Sequence, residues 1–394
     1  MQTHLATIAA ATLWCTAHAS PDLTPLVTPV QPNDPTWIDD HLNNARVVLI
    51  GEELHGIAEH IELKGQLARH LIDHHAFTHV LIEDDVFKGD TLNRDLHEAF
   101  ATDTDATSAG MLAGFYWCWN VQELADAIDL VMRSNHALTL GGFDVQSPAG
   151  ALQRIREHAT PEQRELAERI FTPSRDDYAA FGMEQHESDH NALVAAAESS
   201  DDARVSRAFR HLARVQQVRA GGADFGPRMN ARDRGMAQSV RDILEQDPSH
   251  RVVVWAHNAH AGYEPFYESF TGGVTPLGAH LRDMGYQTLS IGAVFARGET
   301  LLDPRQREDD GSDTGTFEPE PDTQAGAWAL LGESGQWLLD CDRASDPGTP
   351  EDARRFLTDS PPGHFNNYGD ARPLATSHDL ILINAIVRPA TPIR

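Results

Sequence analysis

The chain has 394 residues and carries 59 Asp and Glu against 31 Lys and Arg, a formal charge of −28. That balance excludes a nucleic-acid binder that works by neutralising phosphates and argues against docking on anionic lipid. Hydrophobic residues make up 41%, enough for one large or two ordinary domains, and no apolar run reaches the roughly 18 residues of a membrane span.

Lys64 and Lys88 are the chain's lysines; its other basic residues are arginines. Acid excess with little lysine fits a salt-adapted secreted protein, and it equally fits a GC-rich genome. Leu5 to Cys15 is apolar and short, and Ala17-His18-Ala19 before Ser20 follows the small-x-small cleavage rule. Residues 1–19 are therefore expected to be an export signal, with a periplasmic or secreted product. Cleavage would leave Cys118 and Cys341, which could pair in an oxidising compartment.

Arg46 to Ile50 is a β-branched run ended by Gly51, which reads as a buried strand. Ile57, Ile61, Leu67, Leu71 and Ile72 recur at helical spacing, and His79 to Ile82 is a second strand. The period of about 30 residues suits a right-handed βαβ crossover. A helix at Val121 to Met132 precedes a strand at Ala137 to Leu140. Residues 150–245 read as polar helices, too long for a crossover, and so as an inserted helical subdomain with the character of a lid. Strands resume at Arg251 to Trp255 and Gln287 to Val294. A mobile acidic loop is expected near 297–324, followed by closing strands at Trp337 to Leu339 and Leu380 to Val387. The α/β core thus divides into 20–149 and 246–394. The predicted fold is α/β, with a mainly parallel central sheet flanked by helices and the helical insert.

The strand ends carry the chemistry. The first runs into Gly51-Glu52-Glu53-Leu54-His55-Gly56, the second into Glu83-Asp84-Asp85, the third into Gly142-Phe143-Asp144, and the fourth into His257-Asn258-Ala259-His260. Ligands bind outside the carboxyl ends of parallel strands, so these segments are expected to meet in one polar site. Asp84, Asp85 and Asn258 also suit plain helix capping. Capping explains the Glu52–His55 pair and the two histidines poorly.

Gly51 to Gly56 with Glu62-Leu63-Lys64 resembles the opening motif of the erythromycin esterase family, and Val254-Trp255-Ala256-His257-Asn258-Ala259-His260 resembles its second motif. Gly142 to Gln146, Arg232-Asp233-Arg234-Gly235-Met236-Ala237 and the final stretch Asp379 to Pro392 are similar to further family segments. The resemblance spans about residues 45–392. It implies hydrolysis of a cyclic ester, a macrolide lactone in the best-known members, with water as nucleophile and histidine as base. It assigns His55 as the base and Glu52 as its orienting carboxylate. Lys64 falls at a basic position, Glu83 at a second carboxylate and Arg232 at a site arginine, with Arg234 as the alternative register. His257 and His260 fall in the second motif. The chemistry agrees: His has a pKa near working pH, a carboxylate fixes its tautomer, and Arg232, Lys64 or protonated His257 would steady the oxyanion. The chain has no G-x-S-x-G nucleophile elbow, which a direct-water route does not need. If His55 sits in a loop before the helix, Lys64 can reach the same site. Asp144, Trp117 and Trp119 are assigned to substrate contact, for a small-molecule ester.

Other signals compete. His186-Glu187-Ser188-Asp189-His190 matches H-E-x-x-H, although its flanks are polar. Glu52, His55, His257 and His260 could instead hold a divalent ion that activates water, or the histidines could ligate haem in a non-enzymatic periplasmic binding protein. Phe115 to Asn120 is an aromatic cluster that is either core or the wall of a cleft. The preferred reading uses no metal and no cofactor, and leaves the oligomeric state open.

Overall fold

The computed structural model describes residues 22–31, 34–103, 105–134, 137–173, 182–265, 273–305, 312–319, 324–359 and 377–393. The expected export signal at 1–19 lies outside them. Among the described residues no helix is long and apolar enough to cross a membrane.

Val47–Ile50 (β2), His79–Asp85 (β3) and Val252–Trp255 (β5) are buried along their whole length. Burial along the whole strand marks parallel strands covered on both faces. With Thr139–Asp144 (β4), Thr288–Leu301 (β6) and Leu380–Val387 (β9) they form a parallel block in the order β9-β6-β2-β5-β3-β4. Gln336–Asp340 (β8) and Val27–Val30 (β1) extend one edge antiparallel, and Thr314–Phe317 (β7) pairs antiparallel with β6. The architecture is the mixed α/β sheet flanked by helices that the strand–helix rhythm predicts.

Helix α1 (Ala58–His75) follows β2, α2 (Val86–Thr102) follows β3, and α3 (Gln122–Ser134) precedes β4. Among the described residues between β4 and β5 lie α4 (Ala149–His158), α5 (Pro161–Phe171), α6 (Met183–Glu198), α7 (Ala203–Ala220) and α8 (Phe225–Leu244). One apolar cluster packs α4 to α7 onto Val86 and Phe87 at the start of α2. Another packs Met236, Ala237 and Val240 of α8 onto Leu49, Leu81, Phe143 and Val254 of the sheet. The insert is therefore anchored to the same sheet edge as the site-bearing strands.

Two expectations change. The acidic stretch 297–324 is not all loop: β6 runs on to Leu301 and β7 pairs back against it, with Thr316 opposite Glu299. Residues 306–311 and 320–323 of that stretch lie outside the description. Cys118 and Cys341 are buried in different apolar clusters and do not pair with each other.

Candidate active site

Strands β2, β5, β3 and β4 are contiguous neighbours, with Ile50 beside Trp255 and Trp255 beside Ile82. Their carboxyl ends therefore open side by side, and segments about 200 positions apart meet there. Two glycines shape the first segment. A Cβ on Gly51 would lie 2.1 Å from Asn258 Oδ1, so the β2 and β5 turns approach only through glycine. Gly56 has φ +79° and reverses the chain between His55 and α1. His55 thus lies in the loop, and α1 begins at Ala58 and brings Lys64 back beneath it.

His55 Nδ1 lies 2.5 Å from Glu52 Oε1, and Lys64 Nζ lies 2.8 Å from Glu52 Oε2. Glu52 is buried, which alone would raise its pKa, but Lys64 and then His55 outweigh burial and hold it at about 2. A carboxylate fixed as the anion keeps the His55 proton on Nδ1 and leaves Nε2 as the basic nitrogen. The His55 side chain is 31% exposed, whereas Glu52 and Lys64 are sealed beneath it. Lys64 also donates to the Ala256 carbonyl at 3.1 Å and lies over the Trp119 ring at 4.9 Å. It therefore cannot meet an oxyanion, as the sequence reading allowed; it is the counter-charge behind the Glu52–His55 pair.

A second network surrounds Arg232, delivered by α8. Its guanidinium donates to Glu83 Oε1 at 2.6 Å and to both oxygens of Asp144 at 3.0 Å. Arg234 is exposed, whereas Arg232 is buried among these carboxylates. Burial opposes ionisation of Glu83, but His260 and Arg232 hold its carboxyl well below the usual range. The other Glu83 oxygen accepts the His257 backbone N–H at 2.9 Å. His260 Nδ1 lies 2.8 Å from Asp233 Oδ1, and its Nε2 lies 3.0 Å from Arg232 Nη1 and 3.4 Å from Glu83 Oε1. A guanidinium N–H can only donate, so the Arg232 contact needs an unprotonated Nε2. Burial disfavours a charged His260, yet Asp233 and Glu83 outweigh it and raise its pKa. Protonation would turn Nε2 from Arg232 toward Glu83.

His257 sits between the two networks, its ring centroid 5.1 Å from that of His55. Its Nδ1 accepts the Ala259 N–H at 3.1 Å, capping the short helix α9 (Asn258–Ala261). Burial and then the neighbouring His55 push its pKa well down, so the ring is neutral with its proton on Nε2. The expectation of a protonated His257 is corrected to a neutral N–H donor.

The three substrate-contact assignments separate. Trp117 is partly exposed, its ring 6.3 Å from His55. Trp119 is 1% exposed, with Nε1 donating to the Glu83 carbonyl at 2.8 Å; it floors the site and packs in the core. Asp144 is fully buried, bonded to Arg232, Gln146 Nε2 and the Val145 N–H, and so lies behind the guanidinium, away from any substrate. The aromatic cluster is thus both wall and core. Asp84 holds it in place by accepting the Tyr116 N–H at 2.7 Å, and Asp85 caps α2.

Asp233 went unassigned in the sequence reading. It follows Arg232 directly, is fully buried, and binds both His260 and the Leu277 N–H. Its place within the quoted Arg232 motif was the available signal. Glu53, the extra acid beside Glu52, instead accepts from the Phe295 N–H of β6 at 3.3 Å.

The metal alternatives fit less well. In the main cluster, Glu52 faces Lys64 and His55, His257 Nδ1 faces a backbone N–H, and His260 faces Asp233 and Arg232. These atoms turn to protein partners instead of a common centre. His186 and His190 lie where α6 packs on α7: His186 is buried, and His190 is 3.4 Å from both the Ala213 carbonyl and Gln217 Nε2. A separate cavity of about 390 Å3 is lined by Arg207, Arg210, His211, Arg214, Arg241 and Asp242, among others, and shares no residue with the site. Arg207 pairs with Asp90, and Arg214 and Arg241 with Asp242.

The fold and site define an α/β protein with a carboxylate–imidazole pair and a buried guanidinium at the carboxyl edge of a parallel sheet. The family model for erythromycin esterase matches residues 72–365, and the chain belongs to that family. A succinoglycan biosynthesis protein has a similar structure, with TM-score 0.71 and 16% identity over 95% of this chain and 97% of that one. A Bacillus cereus protein matches at TM-score 0.70 and 17% identity, over 94% and 97%. A mutant of the erythromycin esterase EreC in its open conformation matches at TM-score 0.66 and 16% identity, over 96% and 99%. At these identities the structural likenesses establish the fold.

Proposed function

We propose that the protein hydrolyses a carboxylic ester, a cyclic one such as a macrolide lactone, with water activated by His55. The observation that carries this reading is the 2.5 Å contact of His55 with an ionised, buried Glu52, beneath a ring that remains partly exposed. Family membership adds the substrate class. His55 Nε2 takes a proton from water as its oxygen attacks the ester carbonyl. Glu52 stabilises the imidazolium that forms. His257, a neutral ring 5.1 Å from that of His55, would donate to the oxyanion through Nε2–H, and Arg232 holds Glu83, which in turn accepts the His257 backbone N–H and fixes that turn. When the C–O bond breaks, the imidazolium returns its proton to the alkoxide, giving a carboxylic acid and an alcohol. Trp117 offers an apolar wall for the ring of a lactone. The apolar segment Leu5 to Cys15 supports export to the periplasm or beyond.

The test is a panel of macrolides and simple lactones followed by mass gain of one water, with and without chelator. Turnover is expected for at least one lactone, and His55→Gln should lower it by at least about 100-fold with an unchanged circular dichroism spectrum. Unchanged turnover in that variant would remove the mechanism.

A further inference from the structure

Away from this site, one cluster of side chains has ligand atoms that converge. The 3-10 segment Pro35–His41 sets Asp39 against the last turns of α1, which carry His70, His74 and His75. Asp39 Oδ1 lies 2.6 Å from His70 Nε2 and 2.7 Å from His75 Nε2, so two imidazoles share one carboxylate oxygen. One ligand atom from each of the three residues lies within 4.8 Å of the others, the single such group among the described residues. His74, four positions after His70, falls on the same helix face, its ring centroid 4.8 Å from that of His70. Holding the 3-10 segment to α1 would need one of these rings; the structure gathers three.

We propose that Asp39, His70 and His75 bind a divalent transition cation of the zinc type, with solvent at the fourth position and His74 at the rim. Two imidazole nitrogens and one carboxylate oxygen suit zinc and its neighbours and suit calcium or magnesium poorly. A tetrahedral zinc ion with bonds of about 2.0–2.2 Å spaces its ligands by about 3.3 Å. The nitrogens must therefore draw back from Asp39 by about 0.6 Å. His75 is the last residue of α1 and Asp39 is exposed, so both have room to move. His70 is buried and gives the site a fixed inner wall, while Asp39 and His75 open it to solvent for entry. The C-terminal end of α1 adds negative potential that favours a cation. Such an ion would clamp the segment before β2 to the helix that carries Lys64.

The experiment is calorimetric titration of the chelator-stripped full chain with zinc chloride, with thermal unfolding in parallel. The expected result is about one ion per chain and a higher melting temperature with zinc. His75→Ala and Asp39→Asn should each weaken binding by more than about tenfold, and His186→Ala should leave it unchanged. Both ligand substitutions sit on exposed or half-exposed side chains, and their folding is checked by circular dichroism. Absence of saturable binding would overturn the proposal, as would wild-type affinity in both ligand variants. Lactone hydrolysis does not depend on this outcome, so the two readings fail separately.

Discussion

Lys64→Met tests whether the buried ammonium sets up the base. The substitution keeps the length of the side chain and removes the charge 2.8 Å from Glu52. Glu52 then keeps the His55 Nδ1–H as its partner in the pair, with burial opposing its charge. The fall of the Glu52 pKa from the ordinary 4.5 to about 2 corresponds to about 3 kcal/mol at roughly 1.4 kcal/mol per pH unit. Breaking a buried ion pair from one side costs a similar ~3–5 kcal/mol. A carboxyl depressed in the folded state stabilises fully above its unfolded pKa, and that stability is lost as pH falls through the folded value. The gap between wild type and Lys64→Met should therefore be widest at neutral pH and narrow as pH falls from about 4.5 toward 2. Urea unfolding at a series of pH values reads this directly. The double variant Glu52→Gln/Lys64→Met should recover most of the stability and none of the turnover. A gap that stays constant down to pH 3, or a single variant as stable as wild type at pH 7, would refute the reasoning.

Two further outcomes follow from the same geometry. His257→Phe removes the neutral N–H donor and should lower kcat by about 100–1000-fold with little change in KM, measured on whichever lactone turns over. Burial depresses the His60 and His211 rings to about 4. A histidine lowered in the folded state stabilises above its unfolded pKa of about 6.5 and loses that contribution as pH falls toward 4. His60→Leu should therefore flatten the decline in stability between pH 6.5 and 4, by on the order of 3 kcal/mol across the window, in the same urea series.

The parallel block was legible because β2 and β5 are β-branched runs that stay apolar on both faces, and β9 is apolar but for Asn384. β1 escaped because it is four residues long and contains Pro29, an edge-strand feature with little signal of its own. β7 escaped because Thr314–Phe317 borders acidic, Gly-rich sequence that reads as loop. In the site, the meeting of Glu52, His55, Glu83, Arg232, His257 and His260 followed from their strand-end positions and the family motifs. Depth did not. Nothing in the string distinguishes Trp117 at the rim from Trp119 beneath it, or shows that Lys64 and Asp144 face inward to other charges. Those differences arise from the crossing of α1 under β2 and of α8 over β4, which sequence spacing does not encode. The tautomer of His257 likewise depends on the Ala259 N–H, a backbone group with no residue-type signature.

Arg232 reaches the sheet from α8, yet it neutralises carboxylates that belong to β3 and β4. Excising α4 to α8 would remove the guanidinium from Asp144 and leave Glu83 with His260 alone, and is expected to destabilise the sheet by several kcal/mol, about 3–5 for a buried pair broken from one side. The helices between β4 and β5 and the strands they cover are thus coupled energetically through one buried side chain.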